Sequence, residues 1–362
     1  MRRVLSLLPI FLFVLSCQNV KSFYSNEDQA KENQKTSEEQ VAQKSIKETA
    51  KVIPQEVTSV DPDIIKFCAK IDESFKKYNW KSSDCLKHNW RTVRKSVKGD
   101  PLVWEVFGNE NRIGKKNVDV TLLMCGVHGD EITPVKFCFD AIEHIEELTF
   151  TEDIDKDGDI DEKVIIVAPI VNPDSFFKDR PTRTNAKGVD VNRNFPTGDF
   201  KKLAMKEWIN RYSKDPRRFP GKDAMSEPEV VFQINLIKRY NPSKIVSVHA
   251  PLTMLDYDGP IDEHTGGILG SRANELLIQM SEQAQGYRIK DYPFFPGSLG
   301  NYAGNELNIP TYTLELPSSD PRQSSKYWSL FKGAIHSAIM HNLGNDVNVA
   351  MEPDKKAHNN AN

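Results

Sequence analysis

Two apolar runs separated by a helical stretch constrain the fold of this chain more than any other feature. The runs are Val120–Val127 and Val164–Val171, and each is nearly free of polar side chains. A strand with one solvated face alternates apolar and polar residues, whereas a strand buried on both faces is apolar throughout. The sequence therefore predicts a parallel sheet that is covered by helices on both faces.

The alternation of strands and helices continues along most of the chain. The other predicted strands are Leu102–Phe107, Lys244–Val248 and Thr311–Leu316. The predicted helices are Pro134–Leu148, Phe200–Arg211, Glu227–Tyr240, Ser271–Gln285 and Ser325–Leu343. We therefore predict an α/β fold with a mostly parallel, mixed and twisted sheet between two helical layers.

The N-terminus has the pattern of an export signal. Two arginines precede an apolar run over residues 4–16, which is too short to span a bilayer and ends at Cys17. The run resembles a bacterial lipobox, so residues 1–17 are predicted to be a lipoprotein signal peptide and Cys17 to be lipidated. An ordinary secretion signal with an incidental cysteine is the alternative. Since Gln18 follows the cysteine, we expect an exported lipoprotein at the periplasmic face of the outer membrane.

Composition divides the rest of the chain into four parts. Residues 18–60 are rich in Gln, Glu, Lys, Ser and Asn, and they contain too few apolar side chains to offset the entropy of ordering. We interpret them as a disordered polar tether. Residues 61–95 are predicted to be a short helical N-terminal segment, 96–345 the main α/β domain, and 346–362 a flexible tail.

Four cysteines besides Cys17 allow three disulfide connectivities. Cys68 and Cys85 flank a helical period, and a bond between them suits the oxidising compartment that export implies. Cys125 lies three residues before His128 and could in principle bind a metal. We expect it instead to be a small buried hydrophobic residue of the strand.

The balance of charge excludes a typical nucleic-acid-binding protein. Lys and Arg number 48 against 51 Asp and Glu, which gives a formal net charge of −3. A nucleic-acid-binding domain would show a basic surface or stripe. In open α/β sheets, binding and catalytic sites lie just past the carboxyl ends of the strands.

Histidines and carboxylates occur at these strand ends. His128 and Glu131 directly follow one predicted strand. His249 follows another, and Glu315 lies near the end of a third. Two ligands close in sequence with a distant third form the pattern of a catalytic zinc site, which keeps one position open for water.

Each of these residues also has a simpler explanation. An H-x-x-E pair arises easily by chance, and His249 alone would fit a buried histidine. Glu315 is harder to explain in this way, because a carboxylate between two leucines is costly to bury without a partner. Together they predict one zinc ion held by His128, Glu131 and His249, with Glu315 as the general base.

Five motifs, in this order along the chain, resemble those of the zinc carboxypeptidase family. They are HGDE at 128–131, NPD at 172–174, RTNAKGVDVNRNFP at 183–196, SVHAP at 247–251 and TLELP at 313–317. The resemblance extends over about residues 95–340. It implies a zinc peptidase of that family's α/β/α fold.

The resemblance also implies a role for each matched residue. A guanidinium group suits a carboxylate because it can donate two parallel hydrogen bonds, and a ligand histidine usually donates its other N–H to an acceptor. The implied roles are zinc binding for His128, Glu131 and His249, general base and acid for Glu315, carbonyl polarisation for Arg183, substrate carboxylate binding for Asn192 and Arg193, and orientation of His128 for Asp190.

Two further motifs, LDYDGP at 255–260 and PGSLGNYAG at 296–304, are most similar to the murein peptide amidase branch of the family. That branch cleaves the γ-D-glutamyl–diaminopimelate amide of cell-wall peptides, which implies peptidoglycan-derived peptides as partners. A mobile tyrosine serves the digestive members of the family, and Tyr292 and Tyr302 both lie near its place. The alternatives are a general metallocarboxypeptidase acting on L-peptides, an aspartoacylase-like deacylase, and a non-catalytic cell-wall-binding lipoprotein.

An acidic segment has the D-x-D-x-D-G spacing of a calcium loop. Its aspartates are Asp153, Asp155, Asp157 and Asp159. The twelfth position is Val164, which lacks the carboxylate that such loops use there. The sequence therefore allows two alternatives, a structural calcium site or a solvated acidic hairpin tip.

Overall fold

The computed structural model describes residues 55–56, 61–148, 153–154, 160–260 and 263–343. Within these ranges every helix is too short or too polar to cross a bilayer. The predicted signal peptide with Cys17, nearly all of the predicted tether and the predicted tail lie outside them. So do Asp155, Asp157 and Asp159 of the predicted calcium loop, and these interpretations stay predictions.

A mixed sheet forms the centre of the fold. Its strands are β1 (Gln55–Glu56), β2 (Arg91–Lys95), β3 (Pro101–Phe107), β4 (Val118–Met124), β5 (Asp153–Ile154), β6 (Ile160–Ala168), β7 (Lys244–His249), β8 (Met254–Asp258) and β9 (Thr311–Glu315). They are ordered β1-β2-β3-β6-β4-β7-β9-β8, and β5 pairs with β6. Neighbours among β6, β4, β7 and β9 are parallel, and the outer pairs are antiparallel. The predicted α/β fold is confirmed.

Helices cover both faces of this sheet. The α-helices are α1 (Pro62–Lys77), α2 (Ile132–Glu147), α3 (Pro173–Phe176), α4 (Met205–Asn210), α5 (Pro228–Tyr240), α6 (Glu263–Gln283) and α7 (Ser324–Met340). One apolar core contains side chains of α1, α2, α6 and α7, and the other contains side chains of α5. Leu122 and Leu123 of β4 belong to opposite cores, because successive side chains of a strand point to opposite faces. This double burial explains the apolar run in the sequence.

Several elements differ from the sequence-based expectation. The segment predicted to be helical over 61–95 contains α1 but also strand β2, which pairs with β3. The helix predicted for Phe200–Arg211 is a π-helical turn, Phe200–Ala204, followed by the short α4. Strand β8 was not expected, since its sequence is short and half polar.

Two disulfides link the described cysteines. Cys68 is bonded to Cys85, as the sequence allowed. Cys125 is buried in the apolar core, as expected, but it is bonded to Cys138 of α2 and is not a free thiol. The tight turn after β4 sends α2 back across the strand, which brings the two Cα atoms to 6.2 Å, within the range for a disulfide.

Candidate active site

A cleft of about 340 Å³ lies at the carboxyl edge of strands β4, β7 and β9. Of the residues predicted to act in catalysis or in substrate or metal binding, the structure brings these to its wall: His128, Glu131, Arg183, Asn192, Arg193, His249 and Glu315. Asp190 is fully buried behind the wall, in contact with two of them.

The two neighbouring ligand residues come from the turn between β4 and α2. Glu131 directly precedes the first residue of α2. Gly129 lies between the two ligands, where a Cβ atom would be 2.4 Å from the carbonyl carbon of Ser175 and 2.5 Å from the nitrogen of Phe176. Because backbone cannot move aside easily, only glycine fits, and the turn is held in one position.

Three buried donors face one another at the base of the cleft. Nδ1 of His128 lies 2.7 Å from one carboxylate oxygen of Glu131, and Nδ1 of His249 lies 2.9 Å from the other. One donor atom from each residue lies within 4.8 Å of the others. Two imidazole nitrogens and a carboxylate oxygen are a donor set that zinc prefers, so these residues fit the metal.

The outer nitrogens of both histidines are occupied. Nε2 of His128 lies 3.1 Å from Asp190, as predicted, and Nε2 of His249 lies 3.0 Å from the hydroxyl of Ser247. Partners of this kind fix the ring and leave Nδ1 as the ligand atom. Ser247 was missed in the sequence. Its signal was the i, i+2 spacing, which places it and His249 on one face of β7.

Arg183 donates hydrogen bonds both to Asp190 and to the ligand residue Glu131. Its Nε donates to Asp190 at 2.8 Å, and its terminal nitrogen donates to Glu131 at 3.2 Å. Burial alone would lower the pKa of Arg183, but the two carboxylates raise it above its usual range. The guanidinium is therefore a permanent positive charge beside the metal donors.

Arg193 and Asn192 form another wall of the cleft. The backbone N–H of Leu299 donates to the side-chain oxygen of Asn192 at 2.8 Å, which fixes that amide. Arg193 is 8 % exposed and stacks on the ring of Phe295 at 4.3 Å. Its Nε has no hydrogen-bond partner among the described residues. A held cation of this kind can take the carboxylate of a ligand.

Glu315 lies beside the ligand set, on β9 opposite His249 of β7. One of its oxygens accepts the backbone N–H of Leu252 at 3.2 Å. Burial, to which the nearby Glu131 adds, raises the pKa of Glu315 to about 7, although His249 acts against this shift. A carboxyl group with such a pKa can both accept and release a proton near neutral pH.

The structure separates the two tyrosines that the sequence could not distinguish. Tyr292 lines the cleft. Tyr302 is 8 % exposed and packs against Phe195 in the core, with a distance of 5.5 Å between the ring centroids. Of the two, only Tyr292 is placed to meet a ligand.

The NPD motif supports the cleft from outside. Asn172 donates to the backbone oxygen of Val127 at 3.3 Å, and Asp174 accepts the N–H of Lys98 at 2.9 Å. Neither Asn172 nor Asp174 lines the cleft. The motif therefore fixes the strand end that carries His128.

Two further carboxylates in the cleft were missed in the sequence. Asp256 and Asp258 lie on one face of β8 and line the same cleft as Arg193. Burial raises the pKa of Asp256 to about 6, and burial together with Asp256 raises that of Asp258 to about 7. In the described part of the chain neither carboxylate has a cationic side chain at ion-pair distance. The cleft thus presents both an anionic and a cationic wall.

Comparison with known proteins indicates the same family as the sequence motifs do. The model of the zinc carboxypeptidase family matches residues 88–329. Murein peptide amidase A of Escherichia coli K12 is 30% identical over 239 residues, which cover 64% of this chain and 84% of that protein. Murein peptide amidase A of Vibrio campbellii is 28% identical over 225 residues, which cover 62% and 77% of the two chains.

Solved structures share the fold at lower identity. Carboxypeptidase A of Helicoverpa armigera matches with a TM-score of 0.50 and 18% identity, over 79% of this chain and 74% of that one. Bovine thrombin-activatable fibrinolysis inhibitor matches with the same score and identity, over 79% of this chain and 97% of that one. At this identity the likeness shows the fold alone.

The substitution Gly129→Ala tests whether backbone packing holds the ligand turn in place. The added Cβ would meet the backbone of Ser175 and Phe176 and displace His128 and Glu131. We expect zinc affinity to fall by about 10–100-fold, the range seen when the support of a ligand is lost. Competition with a chromogenic chelator measures it.

Gly198→Ala is the matched control, because the nearest atom to its Cβ would be 3.5 Å away. It should bind zinc as the unmodified protein does. Equal zinc affinities for Gly129→Ala and the unmodified protein would show that the turn has room to relax.

Proposed function

The chain belongs to the zinc carboxypeptidase family and is a zinc metallopeptidase, and from this premise we propose that it cleaves the γ-D-glutamyl–diaminopimelate amide of peptidoglycan-derived peptides. The observation that carries the proposal is the pair of oppositely charged walls in one cleft. The names of the relatives, murein peptide amidase A, support an amide of murein peptides as the substrate class.

The ligand residues and their neighbours divide the chemistry between them. His128, Glu131 and His249 would hold a zinc ion, which would supply Lewis acidity and lower the pKa of water. Glu315 accepts the proton of the attacking water and then donates it to the leaving amine. Arg183 keeps a fixed positive charge where negative charge develops on the carbonyl oxygen.

Arg193 and Asn192 are suited to hold the carboxylate of the leaving residue. Arg193 is already desolvated and stacked, so little rotational freedom is lost when a carboxylate binds. A carboxylate bound by this anchor would direct the scissile amide into the cleft that Glu315 also lines. A substrate therefore enters with its free carboxylate first.

Asp256 and Asp258 favour a leaving residue that also carries an ammonium group. Diaminopimelate has one carboxylate next to the scissile amide, and an ammonium with a second carboxylate at its far end. Carboxylates without a cationic partner bind such an ammonium by a charge-assisted hydrogen bond. A leaving residue with a neutral side chain would leave both aspartates without this partner.

A carboxypeptidase acting on L-peptides would use the same catalytic residues. The two aspartates favour that alternative only for substrates that end in lysine or arginine. A non-catalytic binding role fits less well, because every residue of the proposed mechanism is present and lies in the cleft or against it.

We further propose that the enzyme acts in the periplasm, anchored by lipid on Cys17. The lipobox-like N-terminus supports this location, and so do two disulfides, which form in oxidising compartments.

Cells that express the full chain should incorporate labelled palmitate into it, and Cys17→Ser should abolish the label. An unlabelled chain that is nevertheless exported would indicate an ordinary secretion signal.

Glu315→Gln tests the role of the general base. The amide cannot accept a proton, so we expect turnover of the diaminopimelate tripeptide to fall by about 10²–10⁴-fold, while zinc content stays at that of the unmodified protein. Steady-state kinetics and metal analysis measure both. Glu282→Gln, on the exposed face of α6, is the matched control and should be fully active. Near-normal turnover of Glu315→Gln would exclude the assignment.

Asp256→Asn and Asp258→Asn test the source of specificity. Three tripeptides are compared, ending in diaminopimelate, in lysine, or in 2-aminopimelate, which keeps the far carboxylate but lacks the ammonium. We expect each variant to lower kcat/KM about 10²-fold for the first two tripeptides, because a desolvated charge pair is lost. The 2-aminopimelate tripeptide should lose little.

Glu282→Gln, on the exposed face of α6, does not touch the cleft and should change none of the three values. An equal loss for all three tripeptides would show that the aspartates only support the fold. Efficient cleavage of L-peptides with neutral C-terminal residues would favour the general carboxypeptidase.

A further inference from the structure

A second group of metal-binding side chains lies away from the cleft, where three parts of the fold meet. His88 precedes β2, Glu105 lies on β3, and Glu146 lies in the last turn of α2. One donor atom from each lies within 4.8 Å of the others. None of the three lines the cleft of the active site.

The distances from His88 to both carboxylates match those of a tetrahedral zinc site. Nδ1 of His88 lies 3.3 Å from Oε2 of Glu105 and 3.3 Å from Oε1 of Glu146. Ligands bonded to zinc at about 2.0–2.1 Å in a tetrahedron are about 3.3–3.4 Å apart. A cation between His88 and the two carboxylates would therefore keep both of these distances.

Two of these donors are buried without a hydrogen-bond partner. His88 is 5 % exposed and Glu105 is 4 % exposed. Nδ1 of His88 and Oε2 of Glu105 each have no partner with hydrogen-bond geometry among the described residues. Buried polar atoms without a protein partner are rare, and they indicate that an ion or a water molecule binds them.

A proton alone explains this arrangement poorly. Nδ1 of His88 can carry one hydrogen, which can make a straight hydrogen bond to only one carboxylate. Both carboxylates nevertheless approach this nitrogen to the same distance. A divalent cation would satisfy the imidazole and both carboxylates together.

The surroundings hold the donors in position. Oε1 of Glu105 accepts the backbone N–H of Asn89 at 2.9 Å, which directs the other oxygen toward His88. The imidazole of His88 packs against Trp90, with ring centroids 5.1 Å apart, and against Phe139 at 6.4 Å. Fixed ligands of this kind reduce the cost of forming a metal site.

We propose that His88, Glu105 and Glu146 bind a second zinc ion that has a structural role. It would join the N-terminal segment to the sheet and to α2, next to the disulfide between Cys68 and Cys85. Glu146 is half exposed, so water completes the coordination.

The number of zinc ions per chain tests the proposal. The full-length protein is saturated with zinc, dialysed, and analysed by inductively coupled plasma mass spectrometry. We expect two equivalents for the unmodified protein and one each for His128→Ala, Glu105→Gln and Glu146→Gln. Glu147→Gln is the matched control, because this exposed neighbour lies outside the group, and it should retain two equivalents.

Thermal unfolding gives a second measurement that does not depend on activity. With the catalytic site removed by His128→Ala, zinc should still raise Tm, because it binds the native state at the second group. The rise should disappear in His128→Ala/Glu146→Gln. Glu146 is half exposed, so its substitution keeps the test usable if Glu105→Gln fails to fold.

A single equivalent in the saturated, unmodified protein would overturn the proposal. So would a second equivalent that Glu105→Gln and Glu146→Gln both retain, since zinc would then be bound elsewhere on the surface. Neither measurement uses a murein peptide. If the proposed amidase activity is not found, the zinc count and the change in Tm can therefore still be interpreted.

Discussion

Burial of the central strands on both faces is the constraint on which the rest of the structure depends. Side chains of β4, β6 and β7 must be apolar along most of their length, because each face packs against helices. Polar groups inside these strands are few and paired, as Ser247 is with His249, and most of the polar residues of the cleft follow the strand ends. Three neighbouring parallel strands end at one edge, so the polar residues that follow them are gathered into one cleft.

The cleft is an alternating network of charges, and no member acts alone. Asp190 contacts both His128 and Arg183, and Arg183 in turn contacts Glu131. Burial would raise the pKa of Asp190, but Arg183 and His128 hold it well below its usual range. This network keeps the buried carboxylates of Asp190 and Glu131 ionised. Glu315 lies at the margin of the network, and its pKa is raised to about 7. Position within one network thus separates ligand carboxylates from the proton carrier.

The sequence predicted what local pattern determines, and it failed where distant packing decides. The apolar runs predicted the central strands, and the polar residues after them predicted the cleft. Strand β8 was not predicted, since its half-polar sequence is stabilised by pairing with β9. Asp256 and Asp258 could not be placed in the cleft for the same reason. Pairing of Cys125 with Cys138 depends on where α2 crosses β4, which no local pattern records.

That bond has a consequence for the ligand turn. Cys125 and Cys138 close a covalent ring through the chain, and both His128 and Glu131 are inside it. If α2 frays or lifts from the sheet, the ring still limits how far the start of the helix, with Glu131, can move from the end of β4. Two of the three protein donors thus stay close to the strand end independently of the surrounding packing, and a transient opening need not disperse them.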